Sequence, residues 1–155
     1  MHRTPRPRAL AFAAVATLSL AACGGGGGGQ ALSAEEFRQQ ADAICKDYEG
    51  QIKDLGSPNS LDELPAFVDK VVPIIEEGNA KLADLEPPDE LAEDWDRAME
   101  LQNENLDVAH DLQDAIHDQD TARVQEDLTK LNETDQQSNE IARKIGLEDC
   151  GQSNT

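Results

Sequence analysis

The chain has 155 residues, 32 acidic against 13 basic, for a net charge of −19 at neutral pH. A field of that sign repels nucleic-acid phosphates and anionic lipid headgroups, which excludes a polyanion-binding protein. Aromatic residues make up only 3 % of the chain, so a core must come from Leu, Ile, Val and Ala, a composition that suits one domain of packed helices better than a sandwich.

The N-terminus reads as an export signal. Arg3, Arg6 and Arg8 form a basic region, and Ala9 to Leu20 is an apolar run of twelve residues, shorter than the roughly 20 needed to span a bilayer. It ends in Leu20-Ala21-Ala22-Cys23. Over residues 1–23 this arrangement resembles the lipobox of bacterial lipoproteins. The resemblance implies cleavage before Cys23 and diacylglycerol on its sulfur. It also implies a place on the extracytoplasmic face of the cell membrane, or on the outer membrane of a diderm, because Gly24 is not the aspartate that retains lipoproteins at the inner membrane. Each buried methylene of such an anchor adds about 0.8 kcal/mol, so two or three chains hold far better than one. The alternative is an ordinary secretory signal cut near Ala22, leaving Cys23 as a free thiol or a mixed-disulfide partner.

Gly24 to Gly29 is an unbroken glycine run, which has nothing to bury and loses the most entropy on ordering. With Gln30 to Leu32 it reads as a tether spanning about 15 to 18 Å. A phosphate-cradling loop would need a preceding strand and a Gly-Lys-Ser/Thr ending, and neither is present. The expected organisation is a signal over 1–22, a lipidated cysteine and tether over 23–32, a helical body over 33–150 and a frayed tail over 151–155. Removing the three signal arginines leaves 10 basic against 32 acidic residues, about −22 for the mature chain.

Four helices follow. Ser33-Ala34-Glu35-Glu36 has the form of a capping box, and Phe37, Ala41, Ile44, Tyr48, Ile52 and Leu55 recur at helical spacing until Gly56-Ser57-Pro58, with Cys45 at the edge of the stripe. Ser60-Leu61-Asp62-Glu63 repeats the capping pattern ahead of a second helix bearing Leu64, Phe67, Val68, Val71, Val72, Ile75, Leu82 and Leu85. Pro73 is expected to kink this helix and Gly78-Asn79 to weaken it before Pro87-Pro88 stops it. A third opens at Pro88 or Asp89, with Leu91, Trp95, Ala98, Met99, Leu106, Ala109, Leu112 and Ile116 facing partly inward, and breaks at Asp118 to Thr121. The fourth carries Val124, Leu128, Leu131, Ile141, Ala142 and Ile145, with Gly146 placed as a left-handed cap. Strand signals are absent, and the expected architecture is an all-α, up-down-up-down four-helix bundle.

Lipidation of Cys23 would leave Cys45 and Cys150 to pair in an oxidising compartment, against two separate buried thiols or an intermolecular link. Cys45 lies about three turns into the first helix, so either Leu147 to Cys150 folds back along the bundle or the fourth helix is shifted. Ala41-Asp42-Ala43-Ile44-Cys45 and Gly146-Leu147-Glu148-Asp149-Cys150 are similar to the opening and closing motifs of small helical lipoproteins of actinobacteria. That resemblance supplies no activity.

Candidate ligand sites are few. His110 and His117 share a face of the third helix, each three places after an aspartate, Asp107 and Asp114, a spacing at which each pair can approach one metal ion. A solvated acidic face with two ordinary histidines gives the same pattern. Asp118-Gln119-Asp120 lacks the glycine and closing glutamate of a calcium loop. Aligning helix ends puts Tyr48, Gln102 and one of Asp135 or Ser138 at similar height, as a polar layer able to hold a small ligand or simply to fix helix register. No serine, thiol or histidine stands in a nucleophile pattern, and the sequon Asn132-Glu133-Thr134 is incidental beside a bacterial signal.

The expectation is therefore a non-catalytic, membrane-anchored extracytoplasmic lipoprotein. It carries no cofactor beyond its acyl lipid, and its partners are the bilayer and a protein of the cell envelope rather than nucleic acid. The alternative is a metal-ion or small-ligand binding lipoprotein using His110, Asp114 and His117, or the polar layer.

Overall fold

A computed structural model describes residues 32–152; the signal, Cys23, the glycine tether and residues 153–155 lie outside the described residues. The body is an up-down-up-down bundle of α1 (Ala34–Asp54), α2 (Leu64–Ala83), α3 (Asp89–His117) and α4 (Thr121–Lys144). α2 packs between α1 and α3, and α3 makes its most extensive contact with α4. Among the described residues no strand forms, and no helix is long and apolar enough to cross a membrane.

Local sequence sets most helix ends. The Ser33 hydroxyl accepts the Glu36 amide while the Glu36 carboxylate accepts the Ser33 amide at 3.2 Å, a complete capping box. These Ser33 bonds hold the Glu36 carboxyl below its ordinary pKa. Asp120 caps α4 by accepting from the amides of Ala122 and Arg123, both at 3.2 Å. At the other end of α4, Gly146 (φ +84°) donates to the Arg143 carbonyl and Leu147 to that of Ala142, which is a full Schellman ending. The second capping box expected from Ser60 does not form. Glu63 instead turns back to accept the Asn59 amide at 2.7 Å, and a single 3₁₀ turn, Leu61–Glu63, precedes α2. α2 then runs unbroken through Pro73, and Gly78 and Asn79 are buried within it rather than ending it.

The main core lies at the end where α1 begins and α4 finishes. Phe37, Ala41, Cys45, Leu82, Trp95, Ala142, Ile145 and Leu147 are each at most 5 % exposed. Phe37 meets Trp95 edge to face at 4.9 Å, an arrangement worth about 0.5 to 1.5 kcal/mol beyond the area it buries. Cys45 therefore sits on the central line of α1 and not at its edge, because Phe37, Ala41 and Cys45 follow one another at steps of four.

This end is closed by the chain after α4 rather than by α4 itself. The Arg38 Nε donates to the Ile145 carbonyl at 2.6 Å, and Leu147 to Cys150 folds back along α1 to a Cys45–Cys150 disulfide. The fold also extends past the bridge: Gly151 is buried and its carbonyl accepts from Arg143 Nη1 at 2.9 Å. The Arg143 side chain thus supplies Gly151, the first residue of the expected tail, with a partner the sequence pattern does not reveal.

Candidate functional site

At the opposite end the bundle is not closed. The 3₁₀ turn and the start of α2, the end of α3 and the start of α4 together line an apolar groove of about 650 Å³. Its walls are Leu61, Leu64 and Val68 on one side, Leu112 and Ile116 on α3, and Val124 and Leu128 on α4. α1 contributes nothing to it. Leu61 is 82 % and Leu128 52 % exposed, so the two leucines stand on the lips with their apolar surface in water.

The groove arises from what α4 turns toward α3. Asp127, Thr134, Ser138 and Ala142 are the buried residues of α4, and Val124 and Leu128 are left to line the groove. Val124 is half-buried there and Leu128 exposed. Burial of α1 also fades along its length: Phe37, Ala41 and Cys45 are enclosed, Tyr48 and Ile52 half-buried, and Leu55 exposed.

Between the core and the groove lies the polar layer. Gln102 Nε2 donates to Ser138 Oγ at 3.0 Å, and Asn105 Nδ2 to Asp135 Oδ1 at 2.7 Å. Asn79 Nδ2 reaches the Gln102 carbonyl at 3.1 Å, and the Thr134 hydroxyl bonds Asn105 Oδ1 and lies 2.8 Å from the Lys130 carbonyl. These side chains use one another's hydrogen-bonding groups and tie α2, α3 and α4 together. Asn79, Asn105 and Thr134 were missed from sequence; the only trace was an asparagine interrupting the apolar line from Leu101 to Val108 on α3.

Tyr48 stands at the α1–α2 contact, its ring against Gly78. Burial pushes its phenol up to about 12, with smaller contributions from the charges of Glu49 and Asp135. Loss of solvent also raises the Asp135 carboxyl, opposed by the Asn105 bond. Below the layer, Asp127 is buried with Lys130 Nζ 3.7 Å from Oδ1, while Oδ2 has no hydrogen-bond partner.

The histidines find their partners across the bundle and not along their own helix. His110 Nε2 lies 3.1 Å from Glu76 Oε1, and His117 Nε2 lies 2.8 Å from Asp69 Oδ1, which also accepts from Gln113 Nε2 at 2.7 Å. The His117 bond, with that of Gln113, holds the Asp69 carboxyl below its ordinary value. In both cases the carboxylate facing the ring nitrogen comes from α2. Among the described residues no group of three or more His, Cys, Asp or Glu side chains is gathered as a metal site.

No protein family, curated protein or solved structure matches the chain.

Proposed function

We propose that the protein is a lipid-anchored extracytoplasmic lipoprotein that works by binding and not by catalysis, moored through Cys23 with its apolar groove as the receiving surface. The observation that supports this reading is the polarity of the body. The chain enters at Ser33, at the core end of the bundle, whereas the groove is built from the far ends of α2, α3 and α4. α1 has 21 residues, about 31 Å at 1.5 Å per residue, so a tethered body carries its groove well away from the headgroups. The bridge between Cys45 and Cys150 suits an oxidising compartment.

Fractionation of the native host tests the anchor. The wild-type chain is expected in the membrane fraction with a diacylglyceryl-modified N-terminal cysteine by intact mass, and the Cys23→Ala chain outside it. A wild-type chain that is soluble, or a variant retained as well as wild type, overturns the reading.

A further inference from the structure

We infer that the groove receives a cationic amphipathic helix of another envelope protein, which takes the place beside α2, α3 and α4 that α1 leaves unfilled at this end. The inference rests on the reading above, that the body is a binding module, and names the partner class of that same surface.

The walls come from three helices, and their apolar side chains are spaced for another helix. Leu61, Leu64 and Val68 on one side and Val124 and Leu128 on the other recur at steps of three and four, the spacing at which a helix sets its own i, i+3, i+4 and i+7 anchors into a groove. The opening runs between lips on which Leu61 and Leu128 stand in water. A helix roughly 10 Å across offers those exposed leucines a broader apolar face than a single acyl chain does.

Charge decides what the outer face of that helix carries. Among the described residues Asp62 is the only charged one lining the groove. It is flanked in sequence by Glu63, and Asp120 borders the α3–α4 turn. The nearest basic residues along α3 and α4 are already engaged: His117 with Asp69, Arg123 with Asp118 at 3.7 Å, and Lys130 with Glu126 at 2.8 Å. A second copy of the chain, itself near −22 in its mature form, is repelled, and a helix with lysine or arginine opposite its apolar face is attracted.

The test uses the mature chain with Cys23→Ala and its disulfide intact. The probe is a fluorescein-labelled peptide of about 18 residues, five helical turns, made of leucine and lysine with the leucines at helical spacing. Its controls are a scrambled peptide of the same composition and a leucine-glutamate peptide of the same pattern. The amphipathic lysine peptide is expected to gain helical circular dichroism on binding and to bind about tenfold tighter than the scramble, a difference of about 1.4 kcal/mol. Leu61→Glu with Leu128→Glu is expected to remove that preference; both side chains are exposed, so the fold survives, and the thermal transition checks it. Equal binding of the scramble, binding of the glutamate peptide, or indifference to the lip substitutions overturns the inference. Palmitate serves as a separate arm: if it binds and displaces the peptide without any peptide helicity, the occupant is an acyl chain, and the inference fails while the binding reading stands. Failure of the anchor reads out separately, in the fractionation.

Discussion

The carboxylate of Asp42 accepts the backbone amide of Cys150 at 3.1 Å, one turn of α1 before the cysteine to which Cys150 is bonded. The same carboxylate takes the amides of Asp149 at 2.9 Å and Glu148 at 3.0 Å. One side chain thus satisfies three successive donors and aims the returning chain at Cys45. Hydrogen bonds to a charged acceptor contribute about 1.5 to 3 kcal/mol. Asp42→Ala is expected to lower stability by about 2 kcal/mol in urea unfolding with the bridge intact, and an unchanged midpoint would show that the turn holds itself. The bridge spans 105 residues, for which chain entropy gives roughly 4 to 5 kcal/mol, so reduction is expected to cost more than the loss of Asp42.

Gly78 and Gly50 are both inside helices, yet they should respond oppositely to alanine. A Cβ on Gly78 would lie 2.9 Å from Tyr48 Cδ1, while one on Gly50 would meet nothing within 4 Å. Helix propensity favours alanine over glycine by about 0.8 to 1 kcal/mol at either site. At Gly50 that gain should appear in full. At Gly78 overpacking against the Tyr48 ring costs about 1 to 3 kcal/mol, and the net effect should be a loss. Tyr48→Leu in the same chain is expected to recover part of it; equal gains at both glycines would mean that Tyr48 moves aside freely.

Tyr48 is the chain's only tyrosine, so ultraviolet absorbance follows its ionisation without interference. Its folded pKa is raised from 10.0 to about 12, first by burial. A folded pKa above the unfolded one means that the neutral phenol contributes stability fully present below about pH 10 and lost as pH rises toward 12. Phenolate is expected near pH 12 in the folded protein and near pH 10 in urea. Tyr48→Phe should flatten the decline in stability across that window. A folded titration near pH 10 would place the ring in solvent.

How far the fold could be read from sequence follows from where each signal is written. The caps at Ser33 and Gly146 and the apolar line through Phe37 and Ala41 are local patterns, and the structure reproduces them. The path of Leu147 to Cys150 was not decidable, because it depends on Asp42 and Arg38, more than a hundred residues away. The groove is likewise not written in any local pattern. Leu128 belongs to a helical stripe, but periodicity states only that a face is apolar, not that anything covers it. His110 and His117 pair with α2 across the bundle, a relation that spacing along α3 does not encode.

Gln119 ends α3 with φ +57° in the left-handed region, its amide donating to the Ile116 carbonyl at 3.2 Å and that of Asp120 to the Ala115 carbonyl at 2.9 Å. This is the hydrogen-bond pattern of Gly146 with a side chain in the glycine position. The left-handed region costs a residue with a Cβ about 1 to 2 kcal/mol. Gln119→Gly is therefore expected to stabilise the protein by about 1 kcal/mol in urea unfolding, less the entropy that glycine adds to the unfolded chain. Gln119→Val, branched at Cβ, should destabilise it. Gly146→Ala should also destabilise it, because there a Cβ would come 2.9 Å from the Arg38 Nε that holds the Ile145 carbonyl. Gln119 also lines the groove. If Gln119→Gly leaves the midpoint unchanged, the turn is relaxed and that strain does not exist.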